Sequence, residues 1–179
     1  MAQFKAISPS VEVNGETVLA IVNGMGSFRE SAFKYLANAG IIKPAPGQWY
    51  SQQAWLNAFK EISDKVGGST LRMIGKAIPK SAKFPPEIRT LQEALKSIDV
   101  AYHMNHRGGP IGNYKIARSE DRKIEMVCDN PYPCEFDRGI LTAMCEMFKP
   151  SGAIPKVDHD NSSGCRKSGG PSCRYSITW

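Results

Sequence analysis

The chain has 179 residues, 41% hydrophobic and 22% charged, with a formal net charge of +6. That length holds one domain with a real core, and no apolar run approaches the roughly 18 residues that a membrane-spanning helix needs. The positive charge is spread loosely from Lys60 to Lys96 on helix-like stretches. With no interleaved aromatics and no recognition motif, it reads as a solvated face and argues against nucleic acid as a partner. The start "MAQFKAISPSVEV" lacks an apolar signal core, and five cysteines is an odd number. A cytoplasmic chain with reduced thiols is therefore the expectation.

In chain order, "SPSVEVNGETVLAIVNG" carries two β-branched runs around Asn14-Gly15, which predicts a hairpin. "SFRESAFKYLANAG" reads as a helix, with Ser27 as N-cap, Glu30 at the capping-box position and Gly40 at its stop. In "YSQQAWLNAFKEISDKVGG" the residues Trp55, Phe59, Ile62 and Val66 recur every three or four positions, which predicts a second helix. "STLRMIGKAI" is a third, capped by Ser69, and "PKSAKFPP" is expected to end it. A long helix is expected from Pro86 to the Gly108-Gly109 stop, with Ile88, Leu91, Leu95, Ile98 and Tyr102 on its apolar face.

The period then changes from 3.6 to 2. "GNYKIARSEDRKIEMVCDN" reads as two strands around Ser119–Asp121, "EFDRGILTAMCEMFK" as a helix, and "AIPKVDHD" and "CRYSITW" as two more strands. Helices and strands are grouped rather than alternating, so the fold class is α+β with an antiparallel sheet. A single domain spans 1–179: an N-terminal hairpin (1–25), a helical part (26–108), and a hairpin–helix–hairpin part that bears the cysteines (109–179).

Cys134 sits just before a predicted helix, where orphan N–H groups favour a thiolate, and Cys128 ends a strand. Buried packing is the alternative for both. Cys165 and Cys173 bracket the turn "CRKSGGPSC" at a C-x7-C spacing. That spacing is poor for a zinc knuckle, but a hairpin brings the pair together, and Gly169 and Gly170 supply positive-φ positions. A disulfide is allowed by the same geometry. His159 could add a nitrogen ligand. His103 and His106, three apart at a helix end, could bind a metal or a haem iron, or simply favour the helix dipole. There is no P-loop, H-E-x-x-H, G-x-S-x-G or dinucleotide fingerprint.

Cys134 leads into a helix containing Gly139, and Cys165, Gly169, Cys173 and Tyr175 follow. Over about the last 70 residues this resembles the four-vinyl-reductase-type domain, a family similar to haem nitric-oxide-binding domains and to small subunits of the Golgi transport complex. That family's pattern is a cysteine before a glycine-containing helix, then C-x3-G-D-x2-C-x-F. Gly170 stands in place of the Asp and Tyr175 in place of the Phe, so no role of that carboxylate carries over. The resemblance implies a sensory or accessory module for an apolar, aromatic or tetrapyrrole ligand, with clustered cysteines as metal ligands.

Four readings follow. In the first, apolar faces around Trp55 and Tyr102, with His103 and His106, bind a small apolar molecule, haem or another tetrapyrrole, and Met73, Met104, Met144 and Met147 give an adaptable lining. In the second, Cys134, Cys165 and Cys173 hold zinc, with Cys128 or His159 as fourth ligand. In the third, Cys134 is a catalytic thiolate, which needs a base nearby. In the fourth, the chain is an assembly subunit that forms a homodimer through the long helix from Glu87.

Overall fold

The computed structural model describes residues 2–162 and 164–179. Strand β1 (Glu12–Asn14) runs into the short helices α1 (Gly15–Val18) and α2 (Ala20–Gly24), a 3-10 turn (Gly26–Phe28) and α3 (Arg29–Asn38). Then come β2 (Trp49–Ser51), α4 (Gln52–Lys65), α5 (Gly68–Ser81), α6 (Leu91–Met104) and β3 (His106–Arg107). The last part is β4 (Tyr114–Glu120), β5 (Lys123–Cys128), α7 (Cys134–Phe148), β6 (Lys156–Asp160) and β7 (Cys173–Thr178). The class is α+β as expected. Among the described residues, no helix is long and apolar enough to cross a membrane.

Two antiparallel sheets organise the chain. A small one has the order β2-β1-β3, and a four-stranded one the order β4-β5-β7-β6. In the larger sheet Ile124, Met126 and Cys128 of β5 and Cys173, Tyr175 and Ile177 of β7 are all buried, while their alternating neighbours are not. One face is therefore core, the arrangement that period-2 patterning produces. Helix α7 joins the sheet to the helical half. It crosses α5 at two glycines: a Cβ on Gly139 would collide with the Arg72 carbonyl oxygen and come within 2.9 Å of the Gly75 Cα. Ion pairs Arg72–Glu135 and Lys76–Glu146 link the same two helices.

Several expectations are corrected. No hairpin forms within 1–25: β1 pairs with β2 and β3 instead. Asn14 is an N-cap, its side-chain oxygen accepting from the Thr17 N–H, so the Asn-Gly pair opens a helix rather than a turn. Ser27 lies inside the 3-10 turn, and α3 has no side-chain cap. Helix α5 is entered from Gly67 and runs through Pro79 to Ser81; the proline forfeits one helical bond near an end where few remain. Helix α6 starts at Leu91, not Pro86, because Thr90 is its N-cap and makes a full capping box with Glu93. Its apolar face (Leu91, Leu95, Ile98, Tyr102) is core, so it is no dimer interface. Met73, Met104 and Met147 are exposed, leaving Met144 as the buried one of that set. Gly169 has φ +85°, whereas Gly170 does not share the positive φ.

Candidate functional site

Chain topology gathers three cysteines. Cys134 opens α7 after Pro133, Cys165 precedes the 3-10 turn Arg166–Ser168, and Cys173 opens β7. Their sulfurs stand 3.2 Å (134–165), 3.3 Å (134–173) and 3.5 Å (165–173) apart. All five cysteines are free thiols. His159 on β6 stacks on Tyr175 of β7 at 4.8 Å. Its Nε2 is buried without a partner among the described residues, and the ligand atoms of Cys134, His159, Cys165 and Cys173 all lie within 4.8 Å of one another. Cys128 pairs with Cys173 across β5 and β7 but stays outside this group, its thiol pushed well up by burial. His159, and not Cys128, is therefore the residue grouped with the three cysteines.

Every sulfur of the trio receives an N–H. Gln3 donates to Cys134 at 2.7 Å, the Lys167 backbone to Cys165 at 3.3 Å, and Arg166 Nε to Cys173 at 3.2 Å. Such donors favour thiolates. The hydrogen bond from Cys134 and the Arg166 guanidinium pull the Cys173 thiol down, to about 4. Cys134 is held up by its thiol neighbours, Cys173 first, and by burial. No imidazole hydrogen-bonds to Cys134 among the described residues.

Behind the trio lies a buried ion pair. The Arg166 guanidinium bonds to the Asp137 carboxylate and to the carbonyl and side chain of Asn130, with both charged side chains fully buried. Tyr114 donates its hydroxyl to the other Asp137 oxygen at 2.6 Å. Burial pushes the Asp137 carboxyl up, to about 6, against the pull of Arg166 and Tyr114.

The second feature is an aromatic cavity between the helical half and the large sheet. Trp55, Tyr102, His106, Tyr114, Tyr132 and Phe136 face it, and its volume is about 30 Å³. Trp55 meets Tyr132 edge-on at 5.2 Å and Phe136 at 5.9 Å. His106 Nδ1 lies 2.7 Å from the Tyr102 carbonyl oxygen and Nε2 2.6 Å from the Tyr132 hydroxyl. Gln52 donates to that hydroxyl at 3.0 Å. A carbonyl can only accept, so Nδ1 carries the proton of the neutral ring and Nε2 accepts from Tyr132. Trp55 Nε1, a donor, is buried with no partner among the described residues.

Of the residues expected around a cofactor, the structure brings Trp55, Tyr102 and His106 together. It does not bring His103, which is exposed in the last turn of α6 beside Asp99. Sequence reasoning missed Tyr114, Tyr132, Phe136, Asp137 and Arg166. Tyr132 sits in the loop "NPYPC", where no periodicity marks a buried ring.

Burial pushes His106 down to about 4 from the ordinary 6.5. A depressed histidine stabilises the fold fully above its unfolded value and loses that contribution as pH falls through its folded one. The wild-type chain is expected to lose about 3 kcal/mol more than His106→Gln between pH 7 and pH 4, measured by urea unfolding at each pH. Equal losses would show that His106 is charged in the fold.

No protein-family model matches this sequence, and the search of curated proteins gives no match. Solved structures do match. An H-NOX protein from S. oneidensis in the Fe(II)NO ligation state aligns with a TM-score of 0.65 at 10% identity, over 90% of this chain and 97% of that one. An oxygen-binding H-NOX domain related to soluble guanylate cyclases aligns at 0.64 and 14% identity, over 92% and 94%. A structure solved to probe heme distortion in the H-NOX family aligns at 0.65 and 16%, over 93% and 94%. At these identities the likeness is one of fold.

Proposed function

We propose that this chain, on its H-NOX-like fold, is a small-molecule-binding sensory or accessory module of the four-vinyl-reductase type. The aromatic cavity is its ligand site, and a closed Cys3His zinc centre pins the last hairpin to α7. The single observation that carries the ligand reading is Trp55: it faces the cavity, and its buried Nε1–H has no partner among the described residues. A compact aromatic ligand with a hydroxyl or carbonyl oxygen would satisfy that donor.

The donor set fits zinc. Three sulfurs and an imidazole are soft and borderline ligands suited to it. A tetrahedral zinc with Zn–S near 2.3 Å spaces its sulfurs by about 3.8 Å, a few tenths beyond the present separations. Cys134, His159, Cys165 and Cys173 would hold the ion, with no open position for substrate. Bound there, zinc supplies structural closure and not Lewis-acid chemistry.

Haem, carried by the fold's neighbours, is the second reading, and His106 favours it as the histidine that faces the cavity. In the closed form both ring nitrogens of His106 are engaged, the space is far smaller than a macrocycle, and no Lys or Arg lines it among the described residues. The present arrangement therefore does not fit haem.

The deciding measurement is the ultraviolet–visible spectrum and metal content of tag-free protein. The expected result is about one zinc per chain, no Soret band, and a ligand adduct in native mass spectra of protein titrated with phenol. Folded, metal-free protein would remove the zinc centre. A Soret band that survives dialysis would replace the compact ligand with haem.

A further inference from the structure

One side chain, Phe84, lines both the cavity and a separate surface groove. A site for a benzene-sized guest occupies about 150 Å³, against about 30 Å³ in this cavity. Some residue must therefore yield before a ring can enter. Most of the polar walls are tied. Tyr102 donates to the Ile111 carbonyl at 2.6 Å, Tyr114 to Asp137, and Tyr132 bonds to His106 and Gln52. Trp55 and Phe136 are fully packed. Phe84 is different. It lies on the irregular link between α5 and α6, is half-buried, and its ring has no polar tether.

Phe84 also borders a surface groove of about 210 Å³, lined with Pro79, Pro85, Ile88, Met144, Met147 and Phe148. The floor continues beneath it. Phe136 and Ile140 face the inner cavity, and Met144 and Phe148 face the groove. These four residues follow at four-residue spacing along α7, so they share one face of that helix. The backbone beside Phe84 is fixed: Asn105 accepts from the Lys83 N–H at 3.0 Å and donates to its carbonyl at 2.7 Å. The ring can swing about its own side-chain bonds without the link moving.

We propose that Phe84 is a plug between the cavity and the groove, and that the complete site takes an alkyl-substituted aromatic. The ring of the ligand replaces the ring of Phe84 beside Trp55, and its alkyl chain lies over Met144 and Met147. This rests on the reading that the cavity binds a ligand.

The test titrates the full chain with phenol and with 4-hexylphenol, read by calorimetry and tryptophan fluorescence. The wild-type chain binds 4-hexylphenol at least tenfold more tightly than phenol. If the unplugged state is about a tenth of the population, Phe84→Ala tightens both probes by about tenfold. Phe84→Leu, which keeps an apolar side chain on the link, gives a smaller gain in the same direction. Met147→Lys weakens 4-hexylphenol and leaves phenol unchanged. Unchanged or weaker binding in both Phe84 variants, with native circular dichroism, overturns the plug. Equal affinity for the two probes overturns the groove as part of the site. If neither probe binds any variant, the ligand reading itself falls, and the plug with it.

Discussion

A chain that stops at Ser172 is expected to show no cooperative unfolding transition, by circular dichroism or by calorimetry. The missing segment is β7, and β7 is internal: it pairs with β5 on one side and β6 on the other. Its loss removes Cys173, Tyr175 and Ile177, all at 1% exposure or less. At about 1.5–3 kcal/mol for each large buried side chain, the apolar loss alone takes much of the 5–15 kcal/mol that holds a typical domain. Two ladders of backbone bonds and the Tyr175 bond to the Cys134 carbonyl go as well. Removing Trp179 alone is the control. It is half-buried and bonded to Arg122 through both its carbonyl oxygen and its N–H, so a loss of about 1–3 kcal/mol is expected from two hydrogen bonds. A truncated chain that still unfolds cooperatively would show that the helical half is a domain by itself.

Arg166→Met is expected to cost about 3–5 kcal/mol in chemical denaturation with zinc in excess. The guanidinium is the counter-charge of Asp137, and neither has access to water. Methionine fills much of the volume but leaves a buried carboxylate facing Asn130 and Tyr114 with no cation. A charge without a partner is costlier to bury than an apolar pair. Arg166→Met combined with Asp137→Leu should therefore recover part of the loss, since that variant buries no charge. If the single substitution costs under about 1 kcal/mol, the pair is not the electrostatic core that its burial implies.

The second half of the chain was readable because its signals are local. Period-2 alternation in "KIEMVC" and "CRYSIT" appears unchanged in β5 and β7. The cysteine group was readable as well: a helix start and a hairpin turn are short-range features, and the trio follows once α7 packs on β7. The errors arose where one signal serves two structures. Asn14-Gly15 suits a tight turn, but the same asparagine oxygen caps a helix, and β1 finds its partners 35 to 95 residues downstream. Pro86 is a sound first residue for a helix, yet the capping box at Thr90 and Glu93 is stronger. Arg166 lies in a glycine-rich basic turn and reads as surface. Its burial depends on Asp137, 29 residues earlier, a pairing with no local signature. The cavity shares that difficulty, since its walls come from α1, α4, α5, α6, β3, β4, α7 and the links between them.

Helix α7 has one further consequence. Where it crosses α5 the two backbones touch, glycine against glycine, leaving no compressible side chain between them. Cys134 at its first turn belongs to the thiol trio, and Phe136 two residues later is a wall of the cavity. A rigid rod clamped at one point cannot tilt at one site and stay still at the other. Cys134 and Phe136 both lie on the N-terminal side of the clamp at Gly75 and Gly139, so a tilt of α7 there moves the sulfur group and the cavity wall together.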